Sequence, residues 1–212
     1  MGKKINPVGF RLPALKNWHS RWFANKETYA QFVLEDLKIR RFLNERLKLA
    51  GLVSVEIERL ASKLRLEVYV TRPGVVIGRG GSGLEELKKE LSSLLSLSSP
   101  EKNLQLDVVE VKQPELSSRL VASRIAMDLE RRMPHRRVAK RAIERVMMSG
   151  ALGVKIALSG RLGGATISRT EKFAQGKVPL STIRANIDYT EWPSLTKAGY
   201  VGIKVWINKK QE

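Results

Sequence analysis

Two spacings of apolar residues alternate along this chain of 212 residues, and between them they mark out its elements. From Lys26 to Ala50, Tyr29, Phe32, Val33, Leu37, Phe42, Leu43 and Leu47 recur at helical spacing and Gly51 follows as a stop, which predicts one long helix or a bent pair. Val53 to Glu58 and Leu64 to Val70 instead alternate, so two strands face one core across a short turn near Ala61 and Ser62. Pro73-Gly74 ends the second strand. A short apolar stretch, Val75-Val76-Ile77, then leads into a glycine cluster from Gly78 to Gly83, a helical segment from Leu84 to about Leu97, and a third strand from Gln105 to Val111. Beyond Pro114, Val121, Ile125, Leu129 and Met133 repeat every four residues until Pro134 breaks the period, and a further helix is predicted from His135 to Met148, stopped by Gly150. Val154 to Ile207 is rich in β-branched residues and glycine, with strands expected over 153–159, 164–172, 183–189 and 201–207. The implied class is α+β in three parts. Residues 1–16, with Gly2, Pro7, Gly9 and Pro13 and no sustained period, form an extended arm that orders against a partner. Residues 17–111 form a three-stranded antiparallel or mixed sheet with helices, and residues 112–212 form a second α+β domain with two helices packed on a four-stranded sheet.

Charge changes this picture by separating the parts. The chain carries 39 basic and 21 acidic residues, a net +18, which favours a polyanionic partner. Residues 1–25 hold five basic residues and no acid, residues 26–111 hold 14 basic and 13 acidic, and residues 112–212 hold 20 basic and 8 acidic. The attraction therefore belongs to the arm and the C-terminal half. No apolar run approaches the roughly 20 residues that cross a bilayer, and the basic N-terminus lacks the apolar stretch of a secretory signal, so the expectation is a protein of the cytoplasm or of an organelle interior, with no membrane partner. The absence of cysteine excludes disulfides and thiolate metal sites, and the two histidines, His19 and His135, are too few for a zinc centre. No catalytic residue, metal site or cofactor is expected.

The glycine cluster admits two readings. Gly78-Arg79-Gly80-Gly81-Ser82-Gly83 matches the spacing of dinucleotide-binding loops, but Pro73-Gly74 cuts off the preceding strand, no second βαβ half follows, and Asp107, at a tolerable distance for a ribose ligand, falls in mid-strand. Ile77-Gly78-Arg79-Gly80-Gly81 also matches the I-G-x-x-G of a KH domain, and the order helix, strand, strand, helix, loop, helix, strand resembles the second KH topology. In such a loop Gly78, Gly80 and Gly81 bring backbone N–H groups against phosphates while Arg79 adds a full charge, clamping about four nucleotides of a single strand.

A second candidate lies in the basic stretch from Arg131 to Arg145. With about 100° per residue, Arg136, Arg137, Lys140, Arg141 and Arg145 fall on one side of the predicted helix and Val138, Ala139, Ala142, Ile143 and Val146 on the other, with Glu144 as the single acid. A solubilising face would mix signs, and a membrane-surface helix would carry Trp or Phe on its apolar side, so phosphate contact is the favoured reading.

Several blocks are recognisable: Gly2-Lys3-Lys4-Ile5-Asn6-Pro7-Val8-Gly9-Phe10-Arg11-Leu12, Arg21-Trp22-Phe23, Arg72 to Gly78, Leu129-Glu130-Arg131-Arg132 with Arg136-Arg137, Ser159 to Ala165, Arg169-Thr170-Glu171, Arg184 to Tyr189 and Gly202 to Ile207. They resemble the bacterial-type family of small-subunit ribosomal protein three over essentially the whole chain. The resemblance implies a type II KH domain and a basic ribosomal domain, a place in the head of the small subunit on its rRNA, contacts with ribosomal proteins ten and fourteen, and a position where mRNA enters the ribosome. It implies that Arg136, Arg137 and Lys140 line that channel and assist in opening mRNA helices, with Arg131, Arg132 and Arg141 as neighbours in the same role. Lys3, Lys4, Arg11, Arg161 and Arg169 are the candidate rRNA contacts. The alternative is a free-standing KH regulator. Met133-Pro134-His135 and Glu191 to Leu195 depart from the family pattern. Gly160, Gly163 and Gly164 are read as a hairpin turn or bulge, Trp18 and Trp22 as either RNA-stacking or packed on the KH sheet, and Trp206 as core.

Overall fold

Alternating strands and amphipathic helices sort into two units in the computed structural model, which describes residues 4–12, 14–60, 63–95 and 104–210. One unit comprises Trp18 to Lys112, and the other joins the described residues up to Asn17 with those from Gln113 onward. The expected turn at Ala61 and Ser62 and the expected helix end at Leu97 lie outside the described residues.

The first unit contains β1 (Ser20–Arg21), α2 (Lys26–Arg46), β2 (Leu52–Arg59), β3 (Leu64–Val70), α3 (Pro73–Ile77), α4 (Ser82–Leu95) and β4 (Leu104–Glu110), while α1 (Pro7–Phe10) belongs to the second. Its sheet has the order β1-β2-β3-β4, with β2 and β3 antiparallel and β3 and β4 parallel. The expected three strands are thus joined by a two-residue fourth, β1, which pairs parallel to β2 through Ser20 and Arg21 opposite Ile57 and Glu58. Two residues are too short to show a period, which is why the sequence hid this strand. Ile39 and Leu43 of α2, Leu91 of α4, and Ile57, Leu66 and Val70 of the sheet form the buried centre, each buried apolar side chain contributing about 1.5–3 kcal/mol. Helix α2 is a single helix. Trp22 packs inside the unit, its Nε1 donating to Asp36 at 2.9 Å with Phe32 edge-on at 5.6 Å, while Trp18 stays exposed.

The second unit contains α5 (Ser118–Glu130), α6 (His135–Met148), β5 (Gly153–Gly160), β6 (Arg169–Gly176), β7 (Ile187–Thr196) and β8 (Gly199–Asn208). Its antiparallel sheet runs β6-β5-β8-β7. Val154, Ile156 and Leu158 of β5 and Ile203, Val205 and Ile207 of β8 pack with Ile125 and Leu129 of α5 and Val138 and Ile143 of α6. Ala157, Ile187 and Trp206 form a smaller cluster on the opposite face, so Trp206 is core. Leu162–Gly164 forms a 3-10 turn, with Gly163 and Gly164 at φ 67° and 81°.

Three expectations change. The strand expected at 183–189 runs from Ile187 to Thr196, so Glu191 to Leu195, outside every strand expected from the sequence, is strand; Pro193 is accommodated because β7 is an edge strand, where proline removes no ladder bond that the sheet requires. The strand expected at 164–172 starts later and continues to Gly176, which pairs with Gly153. The arm is not extended throughout. The Asn6 side chain accepts from Val8 N at 2.9 Å to cap the turn α1, and Arg11 is fully buried within the second unit.

Candidate nucleic-acid interface

Between α3 and α4 the chain passes through Gly78, Arg79, Gly80 and Gly81 as a 3-10 turn with three glycines at positive φ. Glycine is required at Gly78 on two counts: its φ is 71°, and a Cβ there would stand 3.0 Å from Gly83 N. Gly83 in turn lies under the end of α3, where a Cβ would meet Val76 O at 2.7 Å. The two helices therefore approach backbone to backbone and present the turn outward. Arg79 and Gly80 are exposed, and Arg79 makes no ion pair among the described residues. All four candidate loop residues are thus brought together at one accessible edge of this unit.

Helix α6 has the two faces that its periodicity predicts. Val138, Ala139, Ile143 and Val146 are buried, whereas Arg136, Arg137 and Lys140 are exposed and Arg141 is half-buried. These four cations and Glu144 line a shallow depression. Arg137, Lys140 and Arg141 make no ion pair among the described residues. The helix start adds to the positive field, because its N-cap is Pro134, which supplies no capping side chain, and its first turn contains no acid.

Arg136 differs from its neighbours. Glu171, on the helix-covered side of β6, accepts from Arg136 Nε at 3.2 Å and Nη2 at 3.3 Å, lies 3.2 Å from Arg169 Nε, and lies 3.2 Å from His135 Nε2. The Arg136 hydrogen bond, helped by His135, holds the Glu171 carboxyl below the usual carboxylate range against the opposing effect of desolvation. One carboxylate thereby gathers three side chains at the start of α6 and fixes where the Arg136 guanidinium points. In the sequence Glu171 stands out only as part of the block Arg169-Thr170-Glu171. The register that sets β6 beside β5, with Glu171 opposite Leu158, is what makes it a positioning residue. Arg131 and Arg132 are exposed at the end of α5.

The rRNA candidates separate by burial. Lys3 lies outside the described residues. Lys4 is exposed, and Arg169 is exposed but tied to Glu171. Arg161 is exposed, with Nε donating to Ala165 O at 2.9 Å and Nη1 to Ala198 O at 3.2 Å. Arg11 is a correction: it is fully buried and donates to the carbonyls of Pro7, Pro179, Leu180, Thr182 and Ala185, so it ties the chain start to the 179–185 loop and has no surface to offer RNA. Its pattern of one cation among Gly and Pro looked like a free arm because four of its five acceptors lie about 170 residues away. The sequence also gave no warning of a basic row on the sheet face away from the helices. There Lys172 and Lys204 flank Ala157 on neighbouring strands, and Lys4 lines the same cleft of about 780 Å3. Among the described residues no group of three or more His, Cys, Asp or Glu could hold a metal ion, and no helix is long and apolar enough to cross a membrane.

A glycine turn between two closely packed helices, a mixed sheet beside it, and a second unit with a one-sided cationic helix define an RNA-binding protein built on a KH domain. Known families agree. Residues 38–116 match the family model "KH domain", and residues 125–207 match "Ribosomal protein S3, C-terminal domain". The "Small ribosomal subunit protein uS3" of Persephonella marina is 49% identical over 209 residues, covering 99% of this chain and 90% of that protein. The protein of the same name from Caldicellulosiruptor bescii is 47% identical, covering 99% and 92%, and that from Methylacidiphilum infernorum is 43% identical, covering 100% and 97%. The chain belongs to the uS3 family of small-subunit ribosomal proteins. It is a structural, non-enzymatic, RNA-binding component of the small ribosomal subunit and acts in translation.

Proposed function

We propose that this chain binds small-subunit rRNA in the head of the subunit and lines the channel through which mRNA enters, where the exposed face of α6 helps to open mRNA helices. The observation that carries this reading is the row Arg136, Arg137, Lys140 and Arg141, exposed or half-exposed, three of them without an ion pair among the described residues and the fourth aimed by Glu171. Such a row attracts phosphates of any sequence, and a strand that has just parted from its partner is held along its backbone before it can re-pair. This needs no nucleotide hydrolysis by the chain itself, since translocation supplies the pull. Lys4, Arg161 and Arg169 are proposed rRNA contacts, the Gly78 to Gly81 turn with Arg79 is proposed to hold a single strand, and ribosomal proteins ten and fourteen are proposed neighbours.

Ribosomes reconstituted with Arg136→Ala, Arg137→Ala and Lys140→Ala together test the channel role. The variant is expected to enter small subunits normally on a sucrose gradient, and to translate unstructured mRNA at the ordinary rate while slowing on a stable hairpin. Equal rates on both templates overturn the reading.

A further inference from the structure

An open cleft of about 510 Å3 lies in the second unit where α5 gives way to α6. Its floor is apolar, with Leu129, Leu162 and Val201 all buried. Arg132, Arg161 and Lys197 line it, and no acid is among its lining residues. A site of this size that is apolar below and cationic around suits a ligand with a flat, weakly polar body and an anionic edge, which is the chemistry of a nucleotide. His135, the first residue of α6, also lines the cleft, so its cations continue into those of the α6 face.

Two of the three cations are held in ways that favour this use. Arg132 has φ 61°, and among the described residues it is the one non-glycine residue with positive φ. It closes α5 where Arg132 N bonds Leu129 O at 2.9 Å and Met133 N bonds Asp128 O at 3.1 Å, a closure whose left-handed residue is ordinarily glycine. A side chain is disfavoured by that backbone, so glycine would make the better turn and arginine supplies something else. Arg161 spends Nε and Nη1 on Ala165 O and Ala198 O, which links two loops at the cleft wall and leaves Nη2 without a hydrogen-bond partner among the described residues, on an exposed side chain. Lys197 sits in the two-residue turn between β7 and β8, exposed and with no ion pair among the described residues.

We infer that this cleft receives one unstacked base of a single-stranded RNA, with the phosphates beside that base held by Arg132, Arg161 and Lys197. The inference rests on the reading that α6 binds an RNA strand, and gives that strand a fixed point at the start of the helix. Phosphate contacts alone would let a strand slide, whereas an inserted base sets its register.

The test uses the full chain and a single-stranded RNA of twelve nucleotides, compared with a series in which each position in turn is abasic, so that the phosphates are retained. The cleft predicts that one position in the series weakens binding about tenfold, the scale of one stacked or inserted base. Ala198→Trp, at the rim, fills the cleft and is expected to lower affinity for the intact RNA to the level of that abasic RNA and to abolish the difference between them. Arg132→Gly is expected to keep or raise Tm while weakening binding severalfold, which separates the side chain's task from the turn's. Lys197→Ala, on an exposed turn, removes one phosphate contact and is expected to weaken intact RNA severalfold, a readout that remains should Ala198→Trp fail to fold. A flat abasic series, or wild-type affinity in the Ala198→Trp and Lys197→Ala variants, overturns the cleft while leaving the α6 reading in place. A wild-type chain that binds none of the RNAs overturns both.

Discussion

Four arginines of the KH unit and the cations of α6 do opposite work. The four are spent on carboxylates: Arg59 holds Glu35 at 2.7 Å and Asp36 at 2.6 Å, Arg21 holds Glu56 and Glu58, Arg46 reaches Glu86 and Glu90, and Arg65 lies among Glu58, Glu67 and Asp107. Along α6 of the C-terminal unit, Arg137, Lys140 and Arg141 have no such partner among the described residues, and Glu171 aims Arg136 without covering it. Pairing therefore distinguishes the two surfaces more sharply than the number of cations does. A paired arginine adds to local structure and presents little net field, whereas bare cations on one face repel one another in the free protein and are relieved when phosphates arrive.

The comparison is most exposed to failure where charge is buried. Asp36→Ala removes the acceptor of Trp22 Nε1 and of two of the three Arg59 nitrogens, leaving Glu35 as the remaining carboxylate on a largely buried guanidinium, so urea unfolding should show a loss of about 3 kcal/mol, with RNA binding unchanged in the folded fraction. Arg11, fully buried in the C-terminal unit, should matter to stability as Arg59 does. Arg11→Lys keeps the charge but replaces a fork by three donors on one nitrogen, leaving carbonyls among Pro179, Leu180, Thr182 and Ala185 unmet; a loss of about 2–3 kcal/mol is expected. The combined Arg137→Ala and Lys140→Ala variant should move stability by no more than about 0.5 kcal/mol, since both side chains are exposed and make no ion pair among the described residues. A large loss there would break the comparison.

The smallest effect is in pH. Burial opposes the charge on Asp188, but Lys209 at 3.3 Å, Lys16 at 3.6 Å and the Ser118 N–H outweigh it and hold the carboxyl below its ordinary value. A depressed carboxyl contributes stability above its unfolded value and loses it as pH falls through the folded one. The wild-type Tm should therefore fall more steeply than that of Asp188→Asn below about pH 4. Parallel curves in that range would show that these contacts do not stabilise the fold.

How much of this was legible in the sequence follows from the range of each signal. Periodicity is local, so α5, α6 and the KH order were readable, as was the cationic face of α6. Pairing is not local. Glu171 becomes a positioning group because β6 lies beside β5 under α6, and Arg11 finds its acceptors in a loop far along the chain. The reach of β7 through Pro193 was hidden for a related reason: whether a strand can hold a proline depends on whether that strand is at an edge, and the order β6-β5-β8-β7 is a property of the whole sheet. The glycine turn was legible as a motif, while the need for Gly78 and Gly83 as points of helix contact emerged only in three dimensions.

The central claim is that bare cations of α6, and not the paired arginines of the KH unit, carry the electrostatic hold on RNA. The direct measurement is the slope of log affinity against log salt for a single-stranded RNA bound to the full chain. Arg136→Ala, Arg137→Ala and Lys140→Ala together should reduce the slope by about 2, at roughly 0.7 per phosphate contact, whereas Arg21→Gln, Arg46→Gln and Arg65→Gln together should leave it unchanged. Equal reductions in the two variants, or a reduction in the KH variant alone, would contradict the account.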